Sequence, residues 1–211
     1  MKELIEKVNK IDKNIKSLIQ QRLKEFSSFK DKNNEEWFSE LCFCILTANS
    51  RAKTAINIQN ELGFKGFSGK KQKELAETIK RNKHRFHNNK AKYILEARNN
   101  QNIKDIINDI VKNKSETDAR KWLNDNIKGL GYKEASHFLR NTGHFNLAIL
   151  DRHILNLMLE HNLISNIPKP LKKSDYLLIE SRFNQLAEKL NISPAELDLK
   201  MWYLKTREVL K

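Results

Sequence analysis

The sequence is organised around a short glycine-containing turn between two helical segments. Ahead of this turn, apolar residues recur at three- and four-residue spacings, which indicates one buried face of a helix: Ala119, Trp122, Leu123 and Ile127. The same spacing resumes after the turn at Ala135, Phe138 and Leu139. Between the two segments lie Gly129 and Gly131, and glycine permits positive φ and a close approach by another backbone. The sequence therefore predicts a tight helix–hairpin–helix unit over about residues 115–142.

The start of the second helix of this hairpin is a candidate anion site. It is predicted near Tyr132, and the first amides of a helix have no acceptor within the helix. We expect the amide of Gly131 and its neighbours to face outward, where the positive end of the helix dipole favours an anion. Lys128 adds a cation beside them. A phosphate group is the predicted ligand.

The remainder of the chain predicts an all-α fold. Nearly every periodic segment has helical spacing, and six glycines and three prolines in 211 residues leave room only for short connections. The glycine-rich stretch 63–71 is predicted to be a basic surface loop. The helices are predicted at approximately 2–27, 34–48, 52–62, 71–82, 88–99, 102–112, 115–128, 132–142, 151–161, 174–190 and 194–210, the last running to the final residue of the sequence.

The charge of the chain favours a polyanionic partner. Forty Lys and Arg against 26 Asp and Glu give a formal net charge of +14, although a lysine-rich solvated surface would account for part of it. No apolar run reaches the ~18 residues that a membrane helix needs, and no signal peptide begins the sequence. We therefore expect a cytoplasmic protein that does not associate with membranes.

The two cysteines indicate core packing rather than chemistry. Cys42 and Cys44 flank Phe43 in an apolar run, and two neighbouring positions of one helix cannot form a disulfide with each other. Two thiols also do not complete a zinc or iron–sulfur site. We expect reduced, buried thiols and neither a metal nor a cofactor.

Lys133 is the first candidate for chemistry. It lies in the first turn of the helix after the hairpin, where a cation faces the positive end of the helix dipole. That field favours the neutral amine, which is the form that a nucleophilic lysine requires. The alternative is an exposed lysine that contacts a phosphate.

Asp151 is the second candidate. It ends an apolar stretch that begins after Gly143, and it directly precedes a predicted helix. Asp is a favourable N-cap residue, so capping alone would explain its position. The two roles are compatible, because a capping carboxylate can keep one oxygen free for acid–base chemistry in a cleft.

Together these features resemble the helix–hairpin–helix–Gly/Pro–Asp superfamily of DNA glycosylases. The resemblance lies in Gly129-Leu130-Gly131-Tyr132-Lys133-Glu134-Ala135, followed by Asp151, and in the apolar helix with its polar turn from Cys42 to Lys53. Asn49 stands in that turn where Gln is more usual. Proline is missing between Gly143 and Asp151, a departure that affects the shape of the loop more than its chemistry.

Within this superfamily, the chain is most similar to the short 8-oxoguanine DNA glycosylases of archaea and some bacteria. The similarity covers nearly the whole chain, and a four-cysteine cluster like that of the endonuclease III branch is absent. The matching segments are Arg85–Tyr93, Gly131–Asn141, Ala148–His153, Met201-Trp202-Tyr203 and Val209-Leu210-Lys211.

The resemblance implies one glycosylase unit over residues 1–211, made of two helical subdomains that flank a cleft with the hairpin at its mouth. The loop from about 143 to 151 would carry the catalytic aspartate. Lys133 would attack the sugar and form a Schiff base, Asp151 would assist, and β-elimination would then cleave the strand. The partner would be double-stranded DNA containing 8-oxoguanine, bound by a monomer associated with the nucleoid.

The resemblance also implies which residues bind the DNA and the base. The backbone contacts would come from Gly129, Gly131, Lys128, Asn49 and Arg51. Phe86 and Trp202 would be stacking surfaces, although both could equally be core aromatics. Lys211 would discriminate between bases, because an acceptor such as its terminal carboxylate rewards the N7 proton of 8-oxoguanine and leaves guanine with a mismatched pair.

Two alternatives remain open at the level of sequence. One is a non-catalytic helix–hairpin–helix protein in which Lys133 only contacts a phosphate. The other is a glycosylase of the same fold that acts on another damaged base.

Overall fold

The computed structural model describes all 211 residues and contains helices but no strands, which confirms the predicted all-α class. Two short 3-10 helices, Phe29–Asp31 and Arg98–Asn100, interrupt the series. The α-helices are α1 (Lys2–Asn9), α2 (Lys13–Ser28), α3 (Asn34–Thr47), α4 (Ala52–Gly69), α5 (Gln72–Arg81), α6 (His87–Ala97), α7 (Ile103–Asn113), α8 (Glu116–Asn126), α9 (Tyr132–Asn141), α10 (Arg152–Glu160), α11 (Lys173–Lys189) and α12 (Pro194–Thr206).

The larger hydrophobic core surrounds α3, which is buried on every side. Its residues from Trp37 to Thr47 are buried except Ser39, as expected for a helix that is apolar all round. The other members of this cluster of 27 buried residues come from helices α4 to α9, from the turn between α8 and α9, and from Leu147 in the loop after α9. Cys42 and Cys44 lie in this core as free thiols, and burial raises the pKa of both well above its ordinary value. We call this core and the helices α3 to α9 around it the first subdomain, which therefore includes the helix–hairpin–helix unit.

A second core of 17 buried residues, the centre of the second subdomain, is formed by α1, α10, α11 and α12 together with the segments just before and just after α10. Helix α2 packs against α12 through a smaller cluster that contains Ile19, Phe26 and Leu199. The chain passes from the first core to the second in the loop between α9 and α10. This arrangement confirms the predicted pair of helical subdomains flanking a cleft.

A buried ion pair joins the hairpin to the second subdomain. The guanidinium of Arg120 in α8 donates two hydrogen bonds to the carboxylate of Glu180 in α11, at 2.6 and 2.8 Å. Glu180 also accepts the backbone N–H of Ala148 at 3.0 Å. The hydroxyl of Tyr176 donates to the carbonyl of Ala148 at 2.8 Å and accepts the N–H of Leu150 at 3.3 Å. These contacts hold the loop that leads to Asp151 against α11.

Three boundaries differ from the sequence prediction. The predicted helix 2–27 is two helices, because Asp12 caps a new helix by accepting the N–H of Asn14 at 2.7 Å. The predicted loop 63–71 is largely helical: α4 kinks at Gly63, whose φ is +52°, and then continues to Gly69. Phe67 is fully buried, and its burial outweighs the low helix propensity of the surrounding glycines.

The last helix is also shorter than predicted. It ends at Thr206, and Arg207 adopts a left-handed conformation with φ of +61°. Residues 207–211 are therefore not helical, and this tail turns back toward the first subdomain. None of the twelve α-helices combines the length and the hydropathy that crossing a membrane requires.

The turn between α8 and α9 depends on glycine at position 129. Its φ is +91°, and a Cβ built there would lie 2.5 Å from Cδ2 of Tyr93. We expect Gly129→Ala to lower the free energy of unfolding by at least ~1–2 kcal/mol, measured by urea denaturation, because the left-handed backbone alone costs that much.

Gly69→Ala is the matched control for this substitution. Gly69 does not have positive φ, and a Cβ there would meet nothing within 4 Å. A loss of stability as large in Gly69→Ala as in Gly129→Ala would contradict the assigned strain.

Candidate active site

The hairpin presents a helix start that is only partly open. The N–H of Leu130 donates to the carbonyl of Ile127 at 3.2 Å and closes the turn. The N–H of Gly131 is not free, contrary to expectation, because the Glu134 side chain reaches back and accepts it at 3.2 Å. The amides of Tyr132, Lys133 and Glu134 have no acceptor in the protein. The predicted anion site therefore consists of these three amides and the exposed edge of the turn.

Lys133 lies in the first turn of α9 and is paired with its neighbour. Its Nζ is 3.0 Å from Oε1 of Glu134, and its side chain is 27% exposed. Since the other carboxylate oxygen of Glu134 binds the Gly131 amide, one carboxylate holds both the hairpin and the lysine. Glu134 is thus a site residue that the sequence analysis had not singled out. Its position three residues after Gly131 is the signal for a side chain that caps a helix start.

Asp151 caps α10 with one oxygen. Its Oδ1 accepts the N–H groups of His153 and Ile154, each at 2.8 Å. Its Oδ2 has no hydrogen-bond partner in the protein. Asp151 thus caps α10 and keeps one carboxylate oxygen free, while its part in acid–base chemistry stays a prediction.

A single cleft contains both candidate residues. Its unoccupied volume is about 570 Å³, part of which is open to solvent. Lys133, His137 and Arg140 of α9 line one side. The other lining residues are Thr47, Ser50 and Ala52 from the turn between α3 and α4, Ile149 and Asp151 beside α10, Asp198, Leu199 and Trp202 of α12, and Leu210 and Lys211 of the tail. The cleft therefore lies between the two subdomains.

The floor of the cleft contains a buried ion pair. Arg140 donates to Asp198, and both side chains are more than nine-tenths buried. Burial raises the pKa of Asp198 to about 6 against the opposing effect of Arg140, and the charge of Asp151 adds to the rise. Neither residue was predicted from the sequence, because the two lie 58 positions apart on helices whose local pattern gives no sign of the pairing.

His137 is a neutral group on the same wall. Burial lowers its pKa well below the ordinary value, and the positive charges of Arg140, Lys133 and Lys211 lower it further. Its ring packs edge-on against Phe43 with centroids 5.6 Å apart, and its Nε2 has no hydrogen-bond partner. Nothing in its own segment of the sequence distinguishes His137 from a core residue of α9.

Two of the three predicted base-recognition residues line the cleft. Trp202 packs edge-on against His153 with ring centroids 5.0 Å apart, and its indole N–H is buried without a partner. Lys211 reaches the cleft from the tail. Phe86 is not among the lining residues: it is half-buried at the start of α6, with the Arg85 guanidinium 4.5 Å from its ring centroid. Its role in stacking stays a prediction.

The predicted DNA-binding residues surround the cleft mouth or the hairpin. Asn49 is exposed in the turn before α4 with φ of +60°, and the exposed Arg51 directly precedes that helix. Their neighbours Thr47, Ser50 and Ala52 line the cleft. Lys128 is exposed on the hairpin, with its Nζ 3.7 Å from Glu96 and 6.0 Å from the centroid of the Tyr93 ring. Their contacts with DNA stay predictions.

This geometry can support one kind of chemistry directly. An amine and a carboxylate with a free oxygen lie in one cleft, and the amides of a helix–hairpin–helix unit stand beside it. An amine can attack an electrophilic carbon, while the carboxylate accepts a proton or stabilises developing positive charge. The all-helical fold with its hairpin beside the cleft is that of the helix–hairpin–helix–Gly/Pro–Asp superfamily of DNA glycosylases.

Comparisons with known proteins specify the family. The family model described as 8-oxoguanine DNA glycosylase matches residues 19–192. The 8-oxoguanine DNA glycosylase/AP lyase of Methanocaldococcus jannaschii is 50% identical over 209 residues, which is 99% of each chain. The chain therefore belongs to the 8-oxoguanine DNA glycosylase family.

Solved structures agree with this assignment. The M. jannaschii enzyme in complex with a 15mer DNA containing 8-oxoguanine superposes with a TM-score of 0.94 at 50% identity, covering 99% of this chain and 100% of that one. The 8-oxoguanine DNA glycosylase of Thermotoga maritima gives a TM-score of 0.92 at 40% identity, covering 100% and 99%.

The raised pKa of Asp198 predicts a pH-dependent contribution to stability. Its value of about 6 exceeds the ordinary 3.8, so the folded state holds a proton that the unfolded state has lost between these values. This contribution is present at low pH and is lost as pH rises through about 6. In urea unfolding across this range, Asp198→Asn should gain stability relative to the unmodified protein as pH rises. If the free energies of unfolding of Asp198→Asn and the unmodified protein change in parallel with pH, the raised pKa of Asp198 is excluded.

Proposed function

We propose that this protein removes 8-oxoguanine from double-stranded DNA and then cleaves the strand at the abasic sugar. The observation that carries this proposal is the meeting of Lys133 and Asp151 in one cleft beside the hairpin. Relatives that match almost the whole chain are named 8-oxoguanine DNA glycosylase/AP lyase. The activity is therefore that of a DNA glycosylase with AP lyase activity, a base-excision repair enzyme.

The base must leave the duplex before this chemistry can occur. An atom inside the base stack cannot reach an enzyme cleft, so the nucleotide is flipped out at a cost of a few kcal/mol. The amides of Tyr132 and Lys133, with Gly129, Gly131 and Lys128, bind the phosphate backbone at the hairpin. Asn49 and Arg51 bind it at the other edge of the cleft. These contacts give affinity without sequence preference, in agreement with the net charge of +14.

The first chemical step joins Lys133 to the sugar. The ammonium of Lys133 first loses a proton to solvent. The neutral amine then attacks the anomeric carbon, the glycosidic bond breaks, and the bond electrons leave with the base, which takes up a proton from solvent. The free Oδ2 of Asp151 accepts the proton of the attacking amine and stabilises positive charge on the sugar. Ring opening of the aminal gives a Schiff base between Lys133 and the sugar. Removal of a proton from the adjacent sugar carbon then expels the 3′ phosphate by β-elimination.

Base recognition uses the opposite wall of the cleft. The indole of Trp202 offers a flat face and a buried N–H without a partner. The main-chain oxygens of Lys211 supply acceptors, which suit the N7 proton of 8-oxoguanine and disfavour guanine, whose N7 is itself an acceptor. Phe86 stacks on DNA from its position at the start of α6. The protein acts as a monomer in the cytoplasm, at the nucleoid.

The direct test of the proposal is borohydride trapping on a duplex with a single 8-oxoguanine. The unmodified protein should form a covalent adduct with the DNA, because reduction fixes the Schiff base. Lys133→Gln should form none, while it keeps affinity for the lesion duplex in a gel-shift assay. Release of the free base without an adduct would indicate a water-based glycosylase instead. Binding without an adduct or released base would indicate a non-catalytic DNA-binding protein.

Lys128→Gln is the matched control on the same hairpin. It removes the same charge five residues earlier, at a side chain exposed on the outer face of the turn. Lys128→Gln should weaken DNA binding and lessen its salt dependence, yet still give the adduct at saturating protein.

The identity of the base is tested separately with the unmodified protein. Release of another damaged base in preference to 8-oxoguanine would keep the proposed mechanism and change the substrate.

Asp151→Asn separates the two roles of that residue. Asn is as good an N-cap as Asp, so the start of α10 should persist. The substitution removes the carboxylate that accepts the proton, and the single-turnover rate of base release should fall by about 10²–10⁴-fold with little change in binding. An unchanged rate would reduce Asp151 to a structural cap.

A further inference from the structure

The side chain of Lys211 is engaged by the first subdomain. Its ammonium donates to Oε2 of Glu40 at 2.7 Å and to Oε1 of Gln59 at 2.6 Å. The same Nζ lies 4.3 Å from the centroid of the Phe43 ring, within the range of a cation–π interaction. Two of the three N–H bonds of the ammonium are thus used within the protein. The lysine side chain therefore serves as an anchor, and Lys211 also lines the cleft, where its main chain lies beside His137.

Glu40 is the centre of the receptor for this anchor. Glu40 is 2% exposed, and both oxygens of its carboxylate accept hydrogen bonds from the first subdomain. Oε1 accepts Nδ2 of Asn141 at 2.6 Å, and Oε2 accepts Nε2 of Gln59 at 3.0 Å in addition to the ammonium. The receptor thus draws on α3, α4 and α9.

The orientation of Gln59 is fixed independently of the tail. Its Nε2 also lies within hydrogen-bond distance of the carbonyl and hydroxyl of Ser39, at 3.1 and 3.3 Å. With its amide nitrogen directed toward these acceptors and Glu40, its oxygen faces Lys211. The amide therefore presents an acceptor where the ammonium arrives.

Charge balance explains why a cation belongs at this place. A carboxylate as deeply buried as Glu40 is costly unless a positive charge accompanies it. Arg140, the nearest guanidinium in the network, forms its ion pair with Asp198 and contacts Asn141 rather than Glu40. Lys211 is therefore the counter-ion of Glu40, and the pair fastens a tail that has no helical hydrogen bonds of its own.

We infer that Glu40 and Gln59 are positioning residues for base discrimination, which fix the main chain of Lys211 at the cleft wall by capturing its ammonium. Neither residue lines the cleft, so both act through Lys211. This inference rests on the proposed function, and it identifies which part of Lys211 meets the base.

The test compares two activities of the same variants. Strand cleavage at a pre-formed abasic site needs Lys133 and Asp151 but no base contact, whereas excision of 8-oxoguanine over guanine needs the recognition wall. The variants are Glu40→Gln, Gln59→Met and Lys211→Met, each close in shape to the original side chain. Glu35→Gln, at an exposed position of the same helix α3, is the matched control.

The three variants should each lower the ratio of single-turnover excision rates, 8-oxoguanine over guanine, by about 10-fold or more, as expected for loss of a charge-assisted hydrogen bond. Abasic-site cleavage should fall much less, and Glu35→Gln should match the unmodified protein in both assays. The double variant Glu40→Gln/Lys211→Met should lose no more discrimination than the worse of its two single variants, because both substitutions break one anchor.

Three outcomes would overturn the inference. Equal losses in both assays would indicate a merely structural role. Retained discrimination in Glu40→Gln and Gln59→Met, with loss in Lys211→Met, would show that Lys211 acts without this receptor. Additive losses in the double variant would show that Glu40 and Lys211 act independently of each other.

Gln59→Met removes no buried charge, so it keeps the test decisive if Glu40→Gln fails to fold. Failure of the proposed function would instead appear as an unmodified protein that excises nothing.

Discussion

The buried pair between Arg120 and Glu180 connects the two parts of the molecule that carry the residues of the proposed chemistry. Arg120 lies on the first helix of the hairpin, whose second helix carries Lys133. Glu180 lies on α11 and also binds the loop that leads to Asp151. One bidentate contact therefore sets the position of the hairpin relative to that loop. A pair buried this deeply adds little net stability, but removal of either partner would leave an uncompensated charge. The role of this ion pair is to fix the position of the hairpin relative to the loop before α10.

The cleft follows from this arrangement of two hydrophobic cores. Each core buries its own helices, and the polar groups that neither can accommodate collect along their boundary. There they satisfy one another in a chain of contacts that runs from Asp198 through Arg140 and Asn141 to Glu40. A boundary rich in fixed charges and dipoles is also a favourable place to stabilise a charged transition state. The same constraint thus explains the buried polar network and the location of the proposed chemistry.

The features predicted from the sequence are those with local causes. Helical periodicity predicted the fold class, paired glycines predicted the hairpin, and the position of Asp151 before a helix predicted its cap. Long-range pairs left no such sign: Arg140 and Asp198 are 58 positions apart, so neither could be recognised from its own segment. Local propensity also failed where burial opposed it, as in the glycine-rich end of α4, where Phe67 enters the core. The hydrogen bond between the Gly131 amide and Glu134 has a local cause as well, since Glu134 stands at the third helical position, but that signal was overlooked in the prediction of a free amide.

The contact between Lys211 and Glu40 spans 171 positions and has consequences for folding kinetics. Closing so long a loop costs entropy that only preformed elements on both sides can offset, so this contact forms after the two cores have assembled. A non-helical tail held by a few side-chain contacts, among them Lys53 with Glu208 and Lys211 with Glu40, is also among the first parts to open on heating, well below global unfolding. With the role proposed for Lys211, the protein would lose its selectivity for the damaged base near its upper working temperature before it loses its fold, and fidelity rather than stability would set its thermal limit.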